Sequence, residues 1–151
     1  MFLWRISNHD TLDGRGGLIA SARWHTRGRP VVYLAATPAG ALVEALVHLE
    51  LRPDKLPASY RLLKAEAPDD LPRMRFSALT EDWRENETAS RTLGDEWLAR
   101  AQTALLEVPS AVLPETTNVL LNPAHPEAAR VRVVWHEAYP FDRRLFKGSG
   151  P

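Results

Sequence analysis

Between residues 22 and 44 the chain reads Ala-Arg-Trp-His-Thr-Arg-Gly-Arg-Pro-Val-Val-Tyr-Leu-Ala-Ala-Thr-Pro-Ala-Gly-Ala-Leu-Val-Glu, which sets Arg23, Tyr33 and Glu44 around one strand-to-helix unit. Glu44 is the only charged residue between Pro38 and Val47, in a stretch otherwise made of Ala, Gly, Leu and Val. A carboxylate buried there costs several kcal/mol unless it is paired or lines a polar cavity. Taken alone, Glu44 is either a catalytic carboxylate or an acid that reaches a buried basic partner. His48 follows four residues later, so it shares the Glu44 face of the helix and either tunes the carboxylate or makes a structural hydrogen bond. Arg23 reads as a surface cation, a loop clamp or a ligand for an anion. Tyr33 on a strand reads as a core aromatic whose hydroxyl reaches the surface. Ser110 beside Pro109 has the form of a turn or strand-edge residue.

Positioning these groups requires definite elements. Phe2 to Ile6 reads as a first strand that opens into a long loop, Ser7 to Gly17, made adaptable by Gly14, Gly16 and Gly17. Val31 to Ala35 reads as a strand. Thr37-Pro38 then supplies an N-cap and a proline at the first helical position, for a helix from Pro38 to about Leu49 that stops before Pro53. Tyr60 to Ala65 reads as a strand, followed by a connection punctuated by Pro68 and Pro72. The spacing of Trp97, Leu98, Ala101 and Leu105 predicts a second helix over Asp95 to Leu106. Val108 to Pro114 reads as extended, and a closing strand follows in which Val131, Val133 and Trp135 alternate with Arg132, Val134 and His136. Without a strict βαβ rhythm, this order predicts an α+β fold, a single mixed domain over residues 1–146 with a largely antiparallel sheet, and a frayed tail over 147–151. Gly14-Arg15-Gly16-Gly17 lacks the spacing and following helix of a dinucleotide fingerprint.

Composition narrows the function. At 151 residues the chain has the length of one ordinary domain. Nineteen basic residues balance nineteen acidic ones, leaving no net field to hold a nucleic-acid backbone or an anionic membrane. The absence of cysteine removes disulfides, thiolate nucleophiles and thiolate metal sites, and a cytoplasmic location is the economical expectation. The histidines at 9, 25, 48, 125 and 136 show no ligand spacing, so no metal is expected. No segment approaches the ~18 apolar residues of a membrane span, and Met1 to Ile6 lacks the form of a secretory signal.

Ala22-Arg23-Trp24, Pro30-Val31-Val32-Tyr33, Glu44 in an apolar helix, Pro109-Ser110 and Asn122-Pro123-Ala124-His125-Pro126, in this order, resemble the RES domain family, named for an arginine, a glutamate and a serine. The resemblance runs from Leu3-Trp4-Arg5 to Phe141-Asp142-Arg143, and departs from the common Gly-Gly-Arg pattern at Ser21-Ala22. By position, the arginine falls on Arg23, the glutamate on Glu44 and the serine on Ser110; Tyr33 matches an aromatic shared with ADP-ribosyl-transferring toxins. The resemblance implies a fold similar to ADP-ribosyltransferase toxins, NAD as substrate with no prosthetic group, and an Xre-type antitoxin as partner.

On that footing Glu44 would stabilise the cationic ribose formed as nicotinamide leaves, and Arg23 would bind the pyrophosphate through its planar fork. Tyr33 would lie against nicotinamide, and Ser110 would bond a carboxamide or ribose hydroxyl. Asn122 and His125 would shape the same cleft, although His125 between prolines equally closes a turn. Arg5 is a second candidate phosphate ligand or one half of an ion pair across the sheet. Three functions stay open: cleavage of NAD with water or phosphate as acceptor, ADP-ribosyl transfer to a protein, and a catalytically silent module that engages an antitoxin. The antitoxin would carry the DNA contacts, the chain itself binding neither nucleic acid nor membrane, and the resemblance leaves room for a homodimer within the toxin-antitoxin complex.

Overall fold

A computed structural model of the chain describes residues 1–48, 58–77 and 79–146. The expected helix stop before Pro53 and the expected tail over 147–151 lie outside the described residues. Seven strands form one sheet in the order β4-β5-β6-β2-β1-β3-β7. They are β1 (Phe2–Ser7), β2 (Val32–Ala35), β3 (Arg61–Glu66), β4 (Arg73–Arg75), β5 (Leu105–Pro109), β6 (Thr117–Leu121) and β7 (Arg132–Ala138). Every neighbouring pair is antiparallel except β4 and β5, so the sheet is mixed and largely antiparallel, as the order of elements predicts.

The central strands are apolar on both faces. Along β2 the two-residue period sends Val32 and Leu34 to a cluster with Leu3, Leu105, Val119 and Leu121. The preceding Val31, with Tyr33, joins Trp24, Trp97, Leu106, Val108 and Leu120 on the opposite face. Here Trp24 stacks between Phe76 and Trp83 at centroid separations of 5.8 and 5.9 Å. A strand buried on both faces, such as β6, hides the alternation that marks a half-buried strand. β7, by contrast, lies at the sheet edge and is mostly exposed, with Trp135 at 42%.

Three α-helices complete the described domain: α1 (Gly16–Ile19), α2 (Pro38–His48) and α3 (Glu87–Arg100). Thr37 caps α2 as its sequence suggests, its Oγ1 accepting from the Gly40 N–H at 3.0 Å. The helix over Asp95 to Leu106 is corrected. α3 begins at Glu87 because the Asn86 side chain accepts from the Ala89 N–H at 3.1 Å, and it ends where Ala101 turns left-handed at φ 46°. Leu105 and Leu106, the last residues of the predicted helical stripe, belong to β5 instead. The extended stretch over Val108 to Pro114 is also shorter than expected, for β5 closes at Pro109 and a turn follows.

One irregularity shapes the functional surface. β1 and β2 share a single register pair, Trp4 opposite Ala35. Beyond it β1 continues against β3 through Ser7, while β2 continues against β6 through Val32. The strands therefore part in the middle of the sheet, and α2 lies over the place where they diverge.

Candidate active site

A cavity of about 360 Å³ opens at this divergence. Its wall includes Trp4 and Arg5 of β1, Tyr33 of β2, Ala41, Glu44, Ala45 and His48 of α2, and Asn118 of β6. The loop from Gly16 to His25 supplies the remaining side. The volume lies at the lower end of the range for small-molecule sites. Gly40, Ala41 and Ala45 are buried, so small side chains let α2 sit close to the sheet and carry Glu44 to the cavity wall.

Glu44 is held from three directions. Its Oε1 accepts from Ser110 Oγ at 2.7 Å and from Asn118 Nδ2 at 2.7 Å, while Oε2 lies 3.3 Å from His48 Nε2. The Glu44 side chain is 23% exposed and that of His48 is 59% exposed. Burial works to raise the Glu44 pKa, but hydrogen bonds from His48, Asn118 and Ser110 together outweigh it and hold the carboxyl below its ordinary range. The same contact raises the pKa of His48, against burial and the nearby positive charge of Arg23. Glu44 is thus an oriented anion with one edge toward the cavity.

Ser110 is more committed than its sequence position suggests. It is 2% exposed, its one hydroxyl proton goes to Glu44, and its oxygen accepts from the Val112 and Leu113 N–H groups at 3.2 and 3.1 Å. A hydroxyl has one donor and two acceptor positions, so this one is fully engaged. The serine orients the carboxylate and has no proton left for a substrate.

Tyr33 lines the cavity with its hydroxyl turned inward rather than to the surface. The hydroxyl accepts from the Trp24 N–H at 3.2 Å and lies 2.9 Å from His25 Nδ1; burial pushes its pKa up. Arg5 lines the cavity and makes no hydrogen bond or ion pair among the described residues, which is not the cross-sheet pair its sequence position allows. Burial lowers its pKa and Asp13 opposes that, yet a guanidinium stays charged. Arg23 stands just outside the cavity wall. Its Nη1 donates to the Trp83 carbonyl at 3.2 Å, and its guanidinium lies 6.0 Å from the Trp83 ring.

Asn122 and His125 are placed elsewhere. Buried Asn122 donates to the Leu98 carbonyl and accepts from the Ala124 N–H at 3.1 Å, and His125 Nδ1 accepts from the Glu127 N–H at 3.1 Å. Both close the turn that follows β6, and neither lines the cavity. Two contributors escaped sequence reasoning: Asn118, which the β6 register alone brings beneath Glu44, and His25, whose place two residues after Arg23 was the only signal. Among the described residues no group of three or more His, Asp or Glu side chains converges to hold a metal, and no helix is long and apolar enough to cross a membrane.

Comparison with known proteins gives the family. The family model described as RES domain matches residues 2–143. The protein named Toxin Res from Pseudomonas putida is 47% identical over 146 residues, spanning 97% of this chain and 100% of that protein. A Sphingobium protein named Prs ADP-ribosylating toxin is 34% identical over 157 residues, spanning 95% of this chain and 96% of its own length. The crystal structure of the M. tuberculosis MbcT-MbcA toxin-antitoxin complex contains a chain that superposes with a TM-score of 0.73 at 14% identity, over 97% of this chain and 86% of that one, a likeness of fold. With a family match over nearly its whole length and relatives that are toxins by name, the chain belongs to the RES domain family.

Proposed function

We propose that the chain is a toxin that cleaves the nicotinamide-ribose bond of NAD, with water or inorganic phosphate as acceptor. The observation that carries this reading is the Glu44 carboxylate, fixed by Ser110 and Asn118 at the wall of a cavity that Arg5 and the Tyr33 ring also line. Cleavage breaks the bond between ribose C1′ and the nicotinamide nitrogen. The bond's electron pair leaves with neutral nicotinamide, and positive charge develops on the ribose. Glu44 faces that charge from a fixed position, and the low polarity of the cavity strengthens the attraction. An acceptor oxygen then bonds to C1′ and releases its proton to solvent. Tyr33 offers its ring face to the nicotinamide cation before the bond breaks, and Arg5 offers its guanidinium to the diphosphate, with Arg23 beside the rim as a second cation.

Incubation of the chain with NAD, with and without phosphate, followed by NMR of the products, tests the reading. Nicotinamide release that is absent from a folded Glu44→Gln variant supports it, and the appearance of ADP-ribose or its 1″-phosphate names the acceptor. Stable NAD refutes it.

A second reading, transfer of ADP-ribose to a protein, is favoured by the Sphingobium relative named as an ADP-ribosylating toxin. It uses the same carboxylate and cavity, and differs in requiring label from NAD to appear on a protein in cell extract. A restraining antitoxin of the Xre type is the partner this family membership suggests. It would supply DNA contacts that a chain with nineteen basic and nineteen acidic residues lacks.

A further inference from the structure

His25 is 3% exposed and makes two side-chain hydrogen bonds. Its Nε2 lies 3.0 Å from the Ala20 carbonyl, an atom that can only accept, so Nε2 carries a proton. Its Nδ1 lies 2.9 Å from the Tyr33 hydroxyl. That hydroxyl already accepts from the Trp24 N–H at 3.2 Å, leaving its own proton free to donate to Nδ1. The three bonds fix one another: a neutral imidazole protonated on Nε2 is the form in which every donor meets an acceptor.

The surroundings leave this ring little freedom. Backbone bonds between Ala22 and His25, at 3.1 and 3.4 Å, close the turn whose intervening residues are Arg23 and Trp24. Gly17 comes so close that a side chain there would overlap the Arg29 carbonyl and press on His25 Nε2. On the other side of the turn, the Asp95 carboxylate accepts from the Thr26 N–H and hydroxyl at 2.8 and 2.6 Å. His25 therefore stands where the cavity loop, the turn bearing Arg23 and the strand bearing Tyr33 meet.

We infer that His25, as the neutral Nε2–H tautomer, is a positioning residue for this site, which sets the Tyr33 ring against the cavity and locks the Arg23 turn to it. His25 acts through Tyr33. The inference rests on the proposed NAD chemistry for its kinetic consequence, although the hydrogen-bond arrangement is measurable without NAD.

The test has two parts. In the wild-type protein labelled with ¹⁵N-histidine, the His25 ring shows a protonated Nε2 and an unprotonated Nδ1 at neutral pH. A protonated Nδ1, as in the other tautomer or the imidazolium, overturns the inference. In the second part NAD cleavage is followed in His25→Asn, whose amide oxygen replaces the Nδ1 acceptor, and in His25→Gln, which lacks an acceptor at that place. Loss of one neutral hydrogen bond corresponds to about a tenfold effect at most, and His25→Gln shows it chiefly as a raised KM because Glu44 is untouched. His25→Asn recovers most of the loss. In a Tyr33→Phe background the same His25→Gln change costs little more, because the bond through which it acts is already gone. Equal costs in both backgrounds overturn the inference in favour of a merely structural histidine. A wild-type protein that leaves NAD intact defeats the proposed activity instead, and the nitrogen spectrum still decides the place of His25.

Discussion

Ser110→Ala separates an orienting serine from one that touches substrate. The change removes the proton that Oγ delivers to Glu44 at 2.7 Å and strands the Val112 and Leu113 N–H groups. A hydrogen bond to a charged group contributes about 1.5–3 kcal/mol. The stranded amides add little, because Val112 and Leu113 are 39% and 46% exposed and water can reach their turn. The expected loss of about 2–3 kcal/mol lowers Tm by roughly 5–10 °C for a domain of this size. Glu44 keeps Asn118 and His48 but loses one of its constraints, and a displacement on the order of 1 Å at a reacting group costs about a hundredfold in rate. KM for NAD stays unchanged, because the hydroxyl has no proton to offer the substrate. Urea unfolding and steady-state NAD cleavage of Ser110→Ala, Glu44→Gln and the double variant measure both effects. In the Glu44→Gln background the serine bond becomes neutral, so the cycle shows a coupling of about 1 kcal/mol. Additive stabilities, or a raised KM with intact kcat, would refute the reasoning.

Glu44→Gln keeps an oxygen for Ser110 and Asn118 while removing the charge, so circular dichroism stays that of the folded wild type, Tm falls as the charge-assisted bonds become neutral, and kcat falls by about 10²–10³. The Glu44–His48 pair carries a pH signature of definite sign. The depressed Glu44 pKa contributes stability above its ordinary range of about 4.5 that is lost as pH falls through the folded value, and the raised His48 pKa contributes stability below about 6.5 that fades as pH rises through its folded value. The His48 imidazole therefore titrates above 6.5 by NMR and drops toward that value in Glu44→Gln; an unchanged midpoint would contradict the pairing. Gly94→Ala places a methyl group on the Trp24 carbonyl, so the gain of about 1 kcal/mol in helix propensity is overwhelmed and the chain unfolds at lower urea.

The strand-to-helix unit around Tyr33 was legible because its signals are local. Val31 to Ala35, the Thr37 cap and the lone Glu44 lie within a few residues of one another, and the structure places β2 and α2 over nearly those spans. The first part of α3 escaped because its outer face is polar, from Glu87 and Thr88 to Arg91 and Thr92, while Trp97 and Leu98, which do lie in the helix, carried the helical period past its end into β5. β6 escaped for the opposite reason, since Asn118 through Leu121 are buried and offer no alternation to count. The site was half legible. Glu44 announced itself as a misplaced charge, but its partners lie 66 and 74 residues away, joined to it only by the register of β5 and β6. Asn122 shares the residue type of Asn118 but lies past the opposite end of β6, and its side chain serves the turn beyond.

The single register pair between β1 and β2 leaves the sheet as two ribbons, β4-β5-β6-β2 and β1-β3-β7, joined across one rung. Arg5 belongs to one ribbon, Tyr33 and Asn118 to the other, and Glu44 rides on the helix above their seam. A molecule seated between them becomes a rivet, gripping both ribbons at once where backbone pairing has let go. Occupancy should then slow amide exchange along β1 and β2 together, far beyond the atoms it touches.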